Sequence, residues 1–239
     1  MLLIDGELHK FQPLPSMFFG HQKPLAYVFN PKVASTLMVN FIFYVNHGYR
    51  YFATDKVHLA PAATRRLDHD DINPQKLDLL LRLKAETFTI VRDPLKRFVS
   101  AFISKVYTDD DPWTYAFRDQ LTSLHGTDLS PEANPAQSCL ALARYVAAQE
   151  NLQEINPHFR PQYLNLAIGS RFKIDTILRI EERDVIKAYC AKWVGQEKAE
   201  RFLNLRFNES RFNTDDFVSD ELVDVVRQFY ARDYELFYS

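Results

Sequence analysis

Hydrophobic residues along the chain alternate between short continuous runs, typical of buried strands, and runs with a 3.6-residue period, typical of helices. The first run, Leu25–Phe29, ends at Asn30-Pro31, and a helical pattern begins at Ser35. A second run, Glu86–Arg92, leads into Asp93-Pro94. Aspartate is a favoured N-cap and proline a favoured first helical residue, so a helix is expected to begin there. The pattern therefore predicts two successive strand–loop–helix units.

The rest of the chain continues this alternation. Helices are predicted at Gln75–Lys84, from Asp93 to about Tyr107, from Asn134, over Asp184–Val194 and from Ser219, and a third strand is predicted at Arg171–Glu181. Strands that alternate with helices are typical of a three-layer α/β domain, in which helices flank a central, mainly parallel β-sheet. We therefore expect a single domain over residues 1–239. Residues 1–23 show no sustained period, and we expect them to form an irregular N-terminal leader.

The composition is that of a globular protein, with 46% hydrophobic and 25% charged residues. Lys and Arg number 29 against 31 Asp and Glu, which gives no basis for a nucleic-acid partner. No stretch approaches the ~20 apolar residues of a transmembrane segment. Cys139 and Cys190 are too few for a disulfide framework. These features predict a cytoplasmic protein, and they leave its oligomeric state open.

The segment NPKVAST, residues 30–36, lies between the first strand and its helix. In such a turn the first helical N–H groups, the hydroxyls of Ser35 and Thr36 and the ammonium of Lys32 can converge on one anion. The segment lacks both glycines of the Walker nucleotide loop, and its lysine precedes the helix by several residues. It therefore predicts an anion site different from a magnesium-triphosphate site; the alternative is a purely structural turn.

The segment IVRDPLKRFVSAF, residues 90–102, places Arg92 at the end of the second strand. Ser100 lies seven residues beyond the Asp93 cap, which is nearly two helical turns, so Ser100 returns to the face beside the strand end. Arginine binds phosphate with two parallel hydrogen bonds. We therefore predict a phosphate site at Arg92 and Ser100; the alternative is a salt-bridged arginine and a surface serine.

Together, PKVAST and RDPLKRFVSAF resemble the paired cofactor motifs of sulfotransferases that use 3′-phosphoadenosine 5′-phosphosulfate (PAPS). The sequences of these motifs most resemble those of the carbohydrate sulfotransferases of the chondroitin 4-O and HNK-1 type, in sulfotransferase family 2. NPHFRPQ, residues 156–162, resembles a third motif of these enzymes. The chain has neither cysteine pairs beside His158 nor a stem, as in a bacterial-type intracellular member. The resemblance implies a P-loop-like fold and sulfuryl transfer from PAPS to a hydroxyl of a carbohydrate or glycolipid.

The resemblance also implies roles for the residues of the first motif. Lys32 is expected to neutralise the charge that develops on the leaving phosphate oxygen during an in-line displacement at sulfur. Val33, Ala34, Ser35 and Thr36 are expected to complete the loop that binds the 5′-phosphosulfate. No metal is expected, because the leaving group is already a phosphate.

The 3′-phosphate is expected at the second motif, where Arg92 and Ser100 match the family pattern. Arg211, just before the last helix, lies where relatives have an Arg-Thr-Thr segment, and it is expected to reach the same phosphate; the alternative is a surface arginine. Asp68-His69-Asp70-Asp71 contains groups that bind metals. Contiguous ligands rarely face one ion, so we interpret this segment as a solvated loop.

A general base is needed for the acceptor hydroxyl, and histidine has a pKa suited to that task near neutrality. His58 lies between the two motifs, in a segment that resembles the A-H-V-S stretch of carbohydrate sulfotransferases, and we favour it as the base. His158 is the second candidate. For each of these histidines, the alternative interpretation is a purely structural role.

Two other functions remain open on the sequence. One is a phosphotransferase related to P-loop kinases, which the missing Walker glycines disfavour. The other is a nucleotide-binding or protein-interaction module that has kept the fold without turnover. Replacement of Lys32 separates these functions, because an enzyme should lose rate and a binding module only affinity.

Overall fold

The computed structural model describes residues 2–4, 7–9, 17–19, 23–49, 65–67, 84–108, 134–170, 173–204 and 212–239, with several single residues between 115 and 130. These residues belong to two compact units. The first unit comprises residues 1–30, 34–90 and 163–207, and the second comprises residues 31–33, 91–162 and 208–239.

The described strands lie in the first unit, apart from Val91 at the end of one of them, and both units contain helices. The strands are β1 (Leu2–Ile4), β2 (Glu7–His9), β3 (Met17–Phe19), β4 (Leu25–Val28), β5 (Arg65–Leu67), β6 (Glu86–Val91) and β7 (Thr176–Arg179). The helices are α1 (Ser35–His47), α2 (Pro94–Phe102), α3 (Pro135–Ala147), α4 (Gln162–Asn165), α5 (Arg183–Val194), α6 (Gln196–Leu203), α7 (Asp220–Phe229) and α8 (Ala231–Phe237). Ile103–Tyr107 form a π-helical turn and Thr214–Phe217 a 3-10 turn.

The sheet of the first unit has five strands in the order β5-β3-β4-β6-β7. Strand β4 is parallel to β6, with Leu25 opposite Glu86. Strand β3 is antiparallel to both β4 and β5. Strands β1 and β2 form a separate antiparallel pair. The described sheet is therefore mixed, and the parallel strands β4 and β6 are the two that precede the candidate phosphate loops.

Helices flank this sheet, which confirms the predicted α/β fold. Helix α1 packs against β3 and β4, and α5 packs against β7. Strand β4 is completely buried, as its continuous apolar run predicted. On the helical side, Phe41 of α1 contacts Phe202 of α6 edge-on, with ring centroids 5.5 Å apart.

The N-terminal segment differs from its prediction. Residues 1–23 were expected to be an irregular leader, yet they contain β1, β2 and β3, and β3 lies between β4 and β5 in the sheet. Met17 and Phe18 are fully or almost fully buried there. A strand of three residues is too short to show a period of two, so the sequence pattern did not reveal these strands.

The core of the second unit forms around α2, α3 and α7. Phe98 of α2 contacts Phe159 and Tyr230, with ring centroids 5.4 Å and 6.3 Å apart. Phe102, one helical turn later, contacts Phe217 edge-on at 5.9 Å. These side chains are buried. The helical spacing of the apolar residues in α2 therefore places one face of the helix in this core.

Helix starts follow their predicted caps. Asp93 Oδ1 accepts from Lys96 N at 2.9 Å, and Asn134 Oδ1 accepts from Ala136 N at 3.1 Å. Ser219 Oγ accepts from Leu222 N at 3.2 Å at the start of the terminal helix. Cap geometry depends on neighbours within four residues, so a local sequence pattern is sufficient to predict it.

Two predicted helices end differently. The helix from Asp93 stops being α-helical at Phe102 and continues as the π-helical turn, in which Thr108 N donates to Ile103 O at 2.9 Å. The terminal helix divides at Tyr230 into α7 and α8. The predicted helix at Gln75–Lys84 lies outside the described residues except for Lys84. In the described part of the chain, no helix has the length and apolar character to cross a bilayer.

Candidate active site

The loop after β4 has a strained backbone at two residues. Lys32 has a φ of 67° and Ala34 a φ of 61°, both in the left-handed region. For residues other than glycine this conformation costs roughly 1–2 kcal/mol. Such strain persists only where surrounding contacts fix the backbone, and it is concentrated at functional sites. The contacts that fix this loop are therefore part of the site.

Helix α1 begins directly after this loop. Ala34 is the N-cap residue, and alanine has no side-chain oxygen that could accept from the first N–H groups of the helix. Ser35 and Thr36 are the first two helical residues, and both are half-buried. The start of α1 therefore presents the combination of N–H groups and hydroxyls that the sequence predicted for anion binding.

Lys32 itself is in a strongly cationic environment within the second unit. Its Nζ atom donates to Ser104 Oγ on the π-helical turn. Burial, and to a lesser extent the positive charges of Lys105, Arg92 and Arg97, together lower the pKa of Lys32 to about 8. Burial and positive neighbours both disfavour the protonated form, so a bound anion would restore the pKa towards its ordinary value. The electrostatics around Lys32 therefore favour a negatively charged ligand.

Both arginines of the second motif hold the backbone of the first. Arg92 Nη1 donates to the carbonyl oxygen of Lys32 at 3.3 Å. Arg97 Nε donates to the carbonyl oxygen of Pro31 at 3.0 Å. Because a guanidinium has five N–H donors, a bond to one carbonyl does not by itself prevent Arg92 from binding phosphate. The two motifs of the sequence are thus one bonded structure.

Arg97 is almost completely buried, with only 1% of its surface exposed. Its Nη1 and Nη2 atoms donate to the carbonyl oxygens of Arg160 and Pro157, both at 2.9 Å. Burial lowers the pKa of Arg97, while Tyr230 and Asp233 act in the opposite direction. Arg97 therefore joins the Lys32 loop to the turn that contains His158.

His158 lies half-buried in that turn. Asn156 Oδ1 is 2.9 Å from His158 Nδ1, and it also accepts from the backbone N–H of His158 at 3.0 Å. An amide oxygen can only accept, so this contact places a proton on Nδ1, and in the neutral ring the lone pair is then on Nε2. The tautomer assigned by this contact is the one in which Nε2 can take up a proton.

Gln162 closes the same segment and holds Arg92 from the other side. Its Oε1 accepts from Arg92 N at 3.0 Å, and its Nε2 donates to Arg92 O at 2.8 Å. The backbone N–H of Gln162 donates to Asp233 Oδ2 at 2.8 Å. Both Gln162 and Asp233 are fully buried. A hydrogen-bonded chain thus leads from α8 to the residue predicted to bind phosphate.

The predicted residues divide into three groups. The side chain of Arg92 contacts the backbone carbonyl of Lys32, and the charges of the two residues interact. Val33 is buried in the loop and Ser100 is half-buried in α2. His58 and Arg211 lie outside the described residues, so their roles stay predictions. Asp68-His69-Asp70-Asp71 lies outside them too, and the described residues contain no cluster of three metal-binding side chains.

Sequence reasoning missed four residues that the structure adds. Arg97 and Gln162 stand inside quoted motifs, where the second arginine of RDPLKR and the final glutamine of NPHFRPQ were available signals. Ser104 and Asp233 had no such signal, because their positions depend on a π-helical turn and on the packing of the last helix.

The comparisons with known proteins agree with this geometry. The profile described as the sulfotransferase family matches residues 15–239, which is nearly the whole chain. The searches of curated proteins and of solved structures found no match. The match includes the Lys32 loop, both arginines and the turn with His158. The chain therefore belongs to the sulfotransferase family.

Proposed function

We propose that residues 1–239 act as one sulfotransferase domain that transfers the sulfuryl group of PAPS to a hydroxyl of a carbohydrate or glycolipid. The observation that supports this proposal best is the contact between Arg92 and the Lys32 loop. It joins the two segments that resemble PAPS motifs into one cationic site. The carbohydrate class of the acceptor rests on the motif resemblance.

The donor set suits a bisphosphorylated nucleotide. The hydroxyls of Ser35 and Thr36, the first N–H groups of α1 and the ammonium of Lys32 suit the 5′-phosphosulfate. Arg92, with Ser100 and Arg211, is proposed for the 3′-phosphate. Lys105 adds positive charge close to Lys32. All of these groups are hydrogen-bond donors or cations, which is the chemistry that a donor with several negative charges requires.

The chemical step is a displacement at sulfur. The acceptor oxygen forms a new bond to sulfur while the bond between sulfur and the phosphate oxygen breaks, and negative charge passes to that phosphate. Lys32 is proposed to donate to this oxygen as the charge develops, which stabilises the transition state more than the ground state. The proton of the acceptor hydroxyl passes to a general base.

His58 and His158 are the two candidates for that base. The contact with Asn156 orients His158 with its Nε2 lone pair, which is the arrangement that a base requires. His58 remains the favoured candidate on the motif resemblance alone.

We expect alanine at the residue that acts as base to lower kcat by about 10²–10⁴-fold, because proton transfer then falls to water. The dissociation constant for 3′,5′-adenosine bisphosphate should stay unchanged. His58→Ala, His158→Ala and the control His47→Ala are to be compared by release of the bisphosphate from PAPS with an acceptor from a glycan screen. Wild-type turnover in both His58→Ala and His158→Ala would move the base elsewhere.

The donor proposal itself is tested by calorimetric titration with 3′,5′-adenosine bisphosphate, 5′-AMP and ATP with magnesium. We expect the bisphosphate to bind most tightly. Arg92→Ala should weaken it by about 10–100-fold, the usual value of hydrogen bonds to a charged group, and weaken 5′-AMP less, because 5′-AMP lacks the 3′-phosphate. Arg201→Ala, at an exposed position of α6, is the matched control.

Two outcomes of this titration would contradict the proposal. Preference for ATP with magnesium would favour a phosphotransferase related to P-loop kinases. Binding of the bisphosphate by a protein that transfers no sulfuryl group to any acceptor or to water would favour a nucleotide-binding module.

A further inference from the structure

The backbone of Arg92 has an unusual partner. Arg92 follows β6 directly, at the point where the strand ends at Val91. Its N–H and its carbonyl are both bonded to the side-chain amide of Gln162, at 3.0 Å and 2.8 Å. Buried backbone groups require partners, and at this strand end one amide provides both. Gln162 thus binds Arg92 as a neighbouring strand would.

Gln162 is itself fixed from the opposite direction. Its backbone N–H donates to Asp233 Oδ2 at 2.8 Å, and Asp233 lies in the terminal helix α8. Neither Gln162 nor Asp233 has any exposed surface. Because buried side chains in such networks have few alternative rotamers, the position of α8 is transmitted to the backbone of Arg92.

The primary amide of Gln162 makes both bonds to Arg92 because it has a donor and an acceptor at any pH. An ionised glutamate accepts but cannot donate, so it would repel the carbonyl of Arg92, and methionine of similar length can make neither bond. Hydrogen bonding to Arg92 therefore favours glutamine at position 162, whereas packing alone would also accept an apolar side chain of similar size.

We propose that Gln162 is a positioning residue that aims the Arg92 side chain at the 3′-phosphate and so sets the preference for 3′-phosphorylated nucleotides. This inference rests on the proposed function of Arg92. Gln162 touches the backbone of Arg92 and acts on the phosphate only through it. A rotation of the Arg92 backbone would move its guanidinium away from the position that a two-bonded phosphate contact requires.

The test is the ratio of two affinities in one protein. Wild type, Gln162→Glu, Gln162→Met and the control Gln228→Glu, at an exposed position of α7, are titrated with 3′,5′-adenosine bisphosphate and with 5′-AMP. We expect both Gln162 variants to bind the bisphosphate about 10–100-fold more weakly and 5′-AMP less than about 3-fold more weakly, because misplacement affects one phosphate. Gln228→Glu should behave as wild type.

A purely structural role gives a different result, because a loss of folded protein lowers both apparent affinities equally. An unchanged ratio in the Gln162 variants, beside a wild type that prefers the bisphosphate, would overturn the positioning role alone. A wild type without that preference would overturn the proposed function and this inference together. Failure of both variants to fold would assign Gln162 to stability and equally overturn the positioning role.

Discussion

Replacement of Lys32 by alanine is expected to lower sulfuryl transfer by about 10²–10³-fold, as removal of a group that stabilises developing charge does in other enzymes. Nζ of Lys32 is the ammonium in the strained loop, and its neighbours Lys105 and Arg92 raise the local positive potential. The affinity for 3′,5′-adenosine bisphosphate should fall much less. Turnover is measured as release of the bisphosphate from PAPS, with an acceptor and with water alone.

The matched control is Lys198→Ala, which removes an exposed lysine of α6. It should leave both turnover and affinity unchanged. If Lys32→Ala transferred sulfuryl groups at the wild-type rate, the proposed role of Lys32 would be wrong, whatever the affinity for the nucleotide.

The pH profile provides an independent check on the same residue. The pKa of Lys32 is about 8 without a ligand, so the protonated ammonium is lost as the pH rises through that value. Since kcat/KM reports the free enzyme, it should fall above about pH 8. A bound donor raises the pKa, so kcat should fall only at higher pH. Lys32→Arg keeps its charge, and its kcat/KM should lack this fall.

Replacement of Arg97 by methionine is expected to lower the free energy of unfolding by about 3–5 kcal/mol, the usual cost of removing one partner from a buried charged network. Three carbonyl groups would lose their donors, those of Pro31, Pro157 and Arg160. Asp233 would lose the favourable charge interaction it has with Arg97. The total free energy of unfolding of a natural domain is about 5–15 kcal/mol, so this loss is large.

Arg97→Lys keeps the charge but cannot reach three carbonyl groups in one plane, so an intermediate loss is expected. Arg201→Met is the matched control, since it breaks an exposed ion pair with Glu197 that contributes at most about 1 kcal/mol. The free energies of unfolding of all three variants are measured by urea unfolding followed by circular dichroism. Stability of Arg97→Met within about 1 kcal/mol of wild type would contradict the structural role assigned to Arg97.

Several features were predictable because their causes are local. The caps Asp93, Asn134 and Ser219 act on N–H groups within three residues, and the structure shows all three bonds. The apolar run Leu25–Phe29 gave a buried strand because its residues are consecutive. The resemblance of their motifs linked Lys32 with Arg92, and in the structure the strands before them, β4 and β6, are parallel neighbours.

Other features depend on contacts that no local pattern specifies. The hydrogen bonds of Arg97 to Pro31 and of Gln162 to Arg92 and Asp233 join residues 66, 70 and 71 positions apart. Such contacts exist only once the topology of the chain is fixed. The sequence places Arg97 and Gln162 in motifs but does not identify their hydrogen-bond partners, so their roles could not be predicted.

The sequence by itself determined the α/β alternation, the helix starts and the family, because each depends on neighbouring residues or on short motifs. Only the tertiary structure decided that β3 lies between β4 and β5, and that a π-helical turn brings Ser104 to Lys32. A three-residue strand has too little periodicity to be seen, and one extra residue in a helical turn changes the direction of the side chains after it. Both effects are settled by long-range packing.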